Sequence, residues 1–281
     1  MWKQKLGLSL MGNLGIPMEE EIRLIKKCGF DAVSPDWTTD KDALKSWVET
    51  AREVGLDLHF LHAPFGGATA MWKDEGAQGE AALQELLDCL EDCADLHIPL
   101  LVVHAYIGDF DLPGTPTALG FERYGKLVEA AKTRGVKVAF ENTEGEDYLF
   151  ALLEYFKEEP FVGFCWDSGH EMCYNHSKDL LALYGNRLLV THLNDNLGIS
   201  RFDGKTFWTD DLHLLPFDGI ADWDELGRRL NKTRLPEYLN LELTVRSKPE
   251  RHENDVYAAM DPCTYLTECY KRACRIAAKI Q

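Results

Sequence analysis

Short β-rich runs recur along this chain, separated by longer stretches with helical periodicity. There are eight: LGLSLM (6–11), DAVSPDW (31–37), DLHFLHAP (57–64), LLVVHAY (100–106), VKVAFENT (136–143), VGFCWDSG (162–169), RLLVTHLND (187–195) and YLNLELT (238–244). Segments between them, such as KDALKSWVETAREVG and ERYGKLVEAAKTRG, are long enough to cross over one strand, and Gly29, Gly55 and Gly135 fall where helix C-caps belong. Parallel strands need crossover helices, and eight of them close a sheet without edges. The pattern therefore predicts the α/β class and a (β/α)8 TIM barrel, with residues 1–281 as a single domain. Barrels of this kind run to about 250 residues. A doubly wound open sheet is the alternative, and MGNLGIP is a weak match to its Gly-rich nucleotide turn.

A hydrophobic fraction of 45%, with 11% aromatic residues, can fill a sizeable core. No run approaches the ~20 apolar residues of a membrane-spanning helix, so no membrane partner is expected. LGLSLMGNLGIP follows Lys3 and Lys5 but is interrupted by Asn13 and Pro17, and reads as the first strand and its loop rather than a signal peptide. Pro262 to Ile280 reads as a last amphipathic helix. The eight cysteines include no Cys-x-x-Cys pair, which fits free thiols in a reducing, cytoplasmic setting. A net charge of −17 repels a phosphate backbone, so no nucleic-acid partner is expected. The sequence leaves a homo-oligomer open.

A barrel carries its chemistry at the C-terminal ends of its strands. Here those ends are polar: His62, His104, Glu141, Asp167 with His170 just beyond, His192 and Glu242. Counting back by twos puts Ala139 and Lys137, Val190 and Leu188, and Asn240 on the inward face. Val138, Phe140, Leu239, Leu241 and Leu243 then face the helices. Gathering so many carboxylates and imidazoles is costly unless something positive organises them. Two glutamates, one aspartate and a neutral imidazole make a donor set for one divalent ion, with Mn, Mg, Co and Zn all compatible. Asp167 is then a ligand, and Gly169 lets the chain turn so that His170 re-enters the pocket. A single strand-end histidine such as His62 or His104 is as readily a hydrogen-bonded structural residue. Four chargeable groups on consecutive strand ends have no stability rationale. His59 is expected to face outward, and His97, His176 and His252 to lie in helices or loops.

Taken in order, FLHAP, VVHA, FENT, WDSGH, THLND, DLHLLPFDGIADW and LELT resemble the xylose isomerase-like TIM barrels, which join sugar isomerases and epimerases with endonuclease IV. The resemblance spans nearly the whole chain. It implies a metal site of Glu141, Asp167, His192 and Glu242, with Glu141 and Glu242 as catalytic acid and base on opposite faces of a keto sugar or polyol. The α-hydroxy carbon would lose a proton to one glutamate through a cis-enediolate, and His170 would contact the sugar. His62, His104, Asp211 and His213 are expected to be further substrate contacts. The arginine that epimerases place soon after the strand-seven histidine has only Arg201, a few residues late, in this sequence.

Asp211 and His213 are also shared with inosose dehydratase-like members and with endonuclease IV, whose three-zinc site uses nine residue types that are all present here. A zinc phosphodiesterase is therefore the sharp alternative. Against it stand the net charge and the lack of any Lys/Arg-rich stretch near the strand-end loops. Those loops carry aromatics that suit the walls of a sugar pocket: Trp37, Phe65, Trp72, Tyr106, Phe202, Phe207 and Trp208. The expected function is a metal-dependent sugar isomerase or epimerase, with an inosose-type dehydratase second. The acidic balance leans towards an unphosphorylated substrate.

Overall fold

The computed structural model describes residues 2–108, 115–200 and 208–280. Its strand segments are β1 Lys5–Ser9, β2 Ala32–Ser34, β3 Asp57–Leu58, β4 Leu61–His62, β5 Leu100–His104, β6 Lys137–Glu141, β7 Val162–Asp167, β8 Leu188–His192 and β9 Tyr238–Leu241. All pair in parallel, in the orders β3-β2-β1-β9 and β4-β5-β6-β7-β8. The segments β3 and β4 are two halves of the one run expected at 57–64, so every expected strand is present. A bridge from Asp36 to His62 and another from Leu193 to Leu241 join the two sheets on either side. The ring closes as the predicted (β/α)8 TIM barrel.

The period of two in the sequence becomes two apolar layers. Val138, Phe140, Leu239 and Leu241 belong to the large core between strands and helices. Phe60, Leu100, Val102, Ala139, Cys165 and Val190 form a smaller cluster inside the barrel, directly below the polar strand ends. Each fully buried Val, Leu or Phe among them contributes roughly 1.5–3 kcal/mol. The inner cluster also gives the polar residues above it a dry floor.

Two expectations about facing are corrected. The strand breaks between Leu58 and Leu61, so His59 and Phe60 both turn inward: the His59 ring stacks on Tyr238 at 4.5 Å, and Phe60 lies 5.2 Å from His192. His59 is thus buried rather than outward, and burial lowers its imidazole to about 3. The second case is Leu188, expected to point inward. A register shift between Phe164 and Cys165 pairs Phe164 with Leu188 but Cys165 with Val190. Leu188 therefore packs in the outer core, and Leu189 reaches the inner cluster beside Gly163.

The helix signals hold locally. Gly29 and Gly135 cap their helices in the left-handed region at φ 113° and 72°, and Gly55 has φ 76°. Asp40, Thr117, Asp222 and Asp261 accept N-cap hydrogen bonds, and Pro262 opens the last helix, which runs Pro262–Ala277. The eight cysteines are free thiols. No helix among the described residues is long and apolar enough to cross a membrane.

Candidate metal centre

Strand register sets the height of the polar groups. His104 pairs with Glu141 across β5 and β6, and Asp167 pairs with His192 across β7 and β8, and each of the four is the last residue of its strand at the C-terminal rim. His62 ends β4, and Glu242 follows β9 by one residue. The helix Ser168–Cys173 begins at once after β7, with the Asp167 carboxylate as its N-cap, accepting from the His170 N–H at 2.6 Å. That short turn brings His170 back over the barrel.

Asp211 and His213 come from the long segment after β8. Buried Asp195 ties that segment down, its Oδ2 accepting from Trp223 Nε1 and the Phe217 N–H at 2.9 Å each, and its Oδ1 from the Ala221 N–H at 3.0 Å. His213 is held at φ 46°, a left-handed conformation uncommon for residues other than glycine. Its ring lies between Asp211, at 3.1 Å, and Glu242, at 3.5 Å.

Glu141, fully buried, is the hub. Its Oε1 lies 3.0 Å from His192 Nδ1 and 3.2 Å from His170 Nδ1, and its Oε2 lies 3.2 Å from His62 Nε2 and 3.3 Å from His104 Nε2. His192 Nδ1 also sits 3.2 Å from Glu242. Asp211 Oδ2 faces His170 Nε2 at 3.3 Å. Three groups result, each with donor atoms within 4.8 Å of one another: Glu141, Asp167, His192 and Glu242; His62, Glu141 and His192; and His170, Asp211 and His213.

The donors fit a divalent ion on their own chemistry. A backbone carbonyl can only accept, so His62 Nδ1 donates to the Ala63 carbonyl at 2.9 Å and His170 Nδ1 to the Asn142 carbonyl at 2.9 Å. Both rings then turn Nε2 toward a carboxylate, where it donates in the ion-free protein and could offer its lone pair to an ion once that proton leaves. The Asp211 Oδ1 atom is buried without a partner. A set of oxygens and imidazole nitrogens like this suits Zn, Mn or Co better than a soft metal.

Electrostatics show the same need for positive charge. Burial works to raise the Glu141 carboxyl, but the imidazoles of His192 and His104 outweigh it and hold it well below the carboxylate range. Glu242 is likewise held at about 2, against burial, by His192. Asp167 is pushed up to about 6 by burial, with His170 and His213 opposing. Burial would lower His213, yet Asp211 raises it to about 9. Protons on the imidazoles thus supply the charge that an ion would replace.

All nine residues singled out in the sequence meet here: His62, His104, Glu141, Asp167, His170, His192, Asp211, His213 and Glu242. Six of them, His62, His104, His170, Asp211, His213 and Glu242, line a cavity of about 270 Å³ together with Asp36, Trp37 and Phe65, while Glu141, Asp167 and His192 are fully buried behind that lining. Asp36 was not singled out. It is open to the cavity, and its carboxyl is raised by the surrounding protein and by nearby Glu242, with His62 opposing. Ala32, Ser34 and Asp36 follow the period of two, so the strand-end rule could have found it; Pro35 disguised where the strand stops.

Asn142 and Asn194 were also missed. Asn194 Nδ2 donates to Asp167 Oδ2 at 2.8 Å, and a Cβ on Gly169 would lie 1.9 Å from Asn194 Oδ1. Close approach, rather than a turn, is why Gly169 is glycine. Of the expected wall aromatics, Trp37, Phe65 and Trp208 line the cavities. Trp72 and Tyr106 do not: Trp72 is buried, donating to the Ala105 carbonyl at 2.7 Å, and Tyr106 stacks on Tyr148 at 4.3 Å. Arg201, Phe202 and Phe207 lie outside the described residues.

The sequence profile of the xylose isomerase-like TIM barrel family matches residues 22–262. The chain belongs to this family. Among curated relatives, it is 27% identical over 260 residues to the uncharacterized protein y4fM of Sinorhizobium fredii (strain NBRC 101917 / NGR234), covering 80% of each. It is 28% identical over 185 residues to a probable endonuclease 4 of Nitrosopumilus maritimus (strain SCM1), covering 57% of this chain and 64% of that one. Similar solved structures include the IOLI protein with a bound zinc atom, at TM-score 0.77 and 18% identity over 99% of both chains. Another is an L-ribulose 3-epimerase, at TM-score 0.69 and 13% identity over 98% of this chain and 97% of that one. At these identities the two structures speak for the fold alone.

Proposed function

We propose that this family member, with residues 1–281 acting as one barrel, is a divalent-metal-dependent isomerase or epimerase of a keto sugar or polyol. The observation that carries the reading is the pair Glu141 and Glu242 facing one imidazole nitrogen of His192, at 3.0 and 3.2 Å, with Asp167 in the same group. Two carboxylates beside one bound carbon are what proton removal and return require. Glu141, Asp167, His192 and Glu242 would hold the ion, of which Mn, Zn, Co and Mg are the candidates. When bound, it would polarise the substrate carbonyl and acidify the neighbouring C–H.

The chain's own groups do the rest. Glu242 lines the cavity with its side chain 19% exposed, so its carboxylate would reach a substrate carbon, while Glu141, fully buried behind the lining, would serve as the second acid-base group. His62, His104, His170, Asp211 and His213 ring the cavity and would hydrogen-bond the hydroxyls and the developing oxyanion. The inner cluster below keeps water away from the carbanionic stage. The direct test is solvent deuterium incorporation into ketoses and inososes: exchange by the wild type that vanishes in Glu242→Gln supports the roles given. Exchange at the wild-type rate in that variant would refute them. An inosose dehydratase would use the same base and then expel a β-hydroxyl, so product analysis separates the two chemistries.

A second reading has one observation in its favour. The group His170, Asp211 and His213 offers a further set of metal donors. With all three groups filled by zinc, the site would suit phosphodiester hydrolysis, and a probable endonuclease 4 is among the relatives. The charge of −17 weighs against a nucleic-acid substrate.

A further inference from the structure

The inner cavity does not end at the nine polar residues. A second chamber of about 410 Å³ opens from it and shares Phe65, His104, His170 and Asp211 with it. Its outer walls include Trp208, Tyr174 and Ile107, and Lys248 and Glu144 add one cation and one carboxyl. The inner cavity alone falls below the roughly 300–1,000 Å³ of a pocket for a drug-sized ligand, and the two chambers together fall within it.

Two aromatic rings of the outer chamber keep about half of their surface exposed. Phe65 is 45% exposed and Trp208 53% exposed. Phe65 is nonetheless fixed, stacked on His104 at 4.7 Å with the rings 11° from parallel. Lys248 sits over the Trp208 ring at 5.3 Å. The two rings meet the chamber from different segments of the chain. The charge in the chamber does not favour an anion. Lys248 is the one cation among the described lining residues, and Glu144, buried and raised by that burial, faces the same space. Glu144 also takes the Gly108 N–H at 3.0 Å, so that loop amide is not free for a phosphate oxygen.

We propose that the substrate is a two-unit keto glycoside, with the keto unit in the inner cavity and an uncharged second sugar ring in the outer chamber against Phe65 and Trp208. This rests on the sugar reading above and extends it to substrate class. A pyranose ring has an apolar face for an aromatic platform and hydroxyls for the rim, whereas a monosaccharide leaves the outer chamber filled by water.

Equilibrium binding to the metal-loaded protein tests it, because binding does not depend on turnover. The probes are D-fructose, D-fructose 6-phosphate and the ketose disaccharides lactulose, maltulose, isomaltulose and turanose, titrated by calorimetry. At least one disaccharide is expected to bind about tenfold more tightly than fructose, a difference of about 1.4 kcal/mol. Trp208→Ala, at a ring that lines only the outer chamber, is expected to shrink that advantage to about threefold or less and to leave fructose affinity unchanged, whereas Phe65→Leu, at a ring that borders both chambers, is expected to shrink the advantage and to shift fructose affinity as well. No disaccharide advantage, an advantage untouched by both variants, or fructose 6-phosphate as the tightest ligand would each overturn the proposal. Deuterium exchange in the same samples reads the isomerase chemistry separately: absence of exchange beside an intact disaccharide advantage would refute only that chemistry.

Discussion

The carboxamide of Asn142 pairs with the backbone of Asp167 in both directions: its Oδ1 accepts from the Asp167 N–H at 2.7 Å and its Nδ2 donates to the Asp167 carbonyl at 2.9 Å. One residue after Glu141, it locks the ends of β6 and β7 together and fixes where both carboxylates point. Asn142 is fully buried and also reaches Asn175 Oδ1 at 3.1 Å. Replacement by alanine strands polar groups at a cost of roughly 1–3 kcal/mol each. Asn142→Ala is predicted to lower stability by about 2–4 kcal/mol and to weaken metal affinity by about 10–100-fold. Urea unfolding of the metal-free protein and a metal titration of the folded variant check the two parts; unchanged affinity would deny Asn142 a role in aiming the ligands.

The buried pair Glu171 and Arg229 makes a contrasting case. Arg229 reaches Glu171 through two parallel contacts of 2.7 and 2.9 Å, and Trp166 Nε1 donates to the same carboxylate at 2.9 Å. Arg229→Met leaves the carboxylate buried without its cation, at a cost of about 3–5 kcal/mol. The variant is predicted to melt earlier yet retain its metal content. Loss of the ion would mean that this pair supports the site directly.

The metal-free protein has a predictable response to pH. His213 is raised from the ordinary 6.5 to about 9 by Asp211, so its stabilisation is complete below about 6.5 and is lost as pH rises through 9. At about 1.4 kcal/mol per unit, discounted for partial exposure, the chelated chain should lose on the order of 2 kcal/mol between pH 7 and 10. His213→Gln should flatten that decline. Metal loading works in the opposite sense: with Asp167 raised to about 6 and His192 above its ordinary value, ion binding releases protons and tightens as pH rises from 6. Calorimetry in buffers of different ionisation enthalpy reads that release, and a flat affinity from pH 6 to 9 would contradict it.

Much of the barrel and the nine polar residues could be read from the sequence because both follow a period. Glu141 and Glu242 stand in runs whose alternate residues, Val138 and Phe140 or Leu239 and Leu241, are apolar and face the helices, so strand ends and facing could be counted. The count failed where the backbone departs from that period. His59 faces inward because β3 and β4 are separated by a break, and Leu188 faces outward because β7 and β8 slip by one residue. A break of register leaves no mark in a hydrophobic pattern that is apolar on both faces. Asn142 and Asn194 were invisible for another reason: their roles depend on contacts 25 and 27 residues away along the chain, to Asp167. Asp36 could have been reached by the same count that found Glu141.

The account turns on whether Glu141, Asp167, His192 and Glu242 hold one divalent ion. Elemental analysis of protein purified without chelator or affinity metal, for the wild type and Asp167→Asn side by side, tests this most directly. One divalent ion per wild-type chain, absent from Asp167→Asn, is the predicted result. An ion-free wild type, an ion retained by the variant, or two to three zinc ions per chain would contradict it, and the last would turn attention to phosphodiester cleavage.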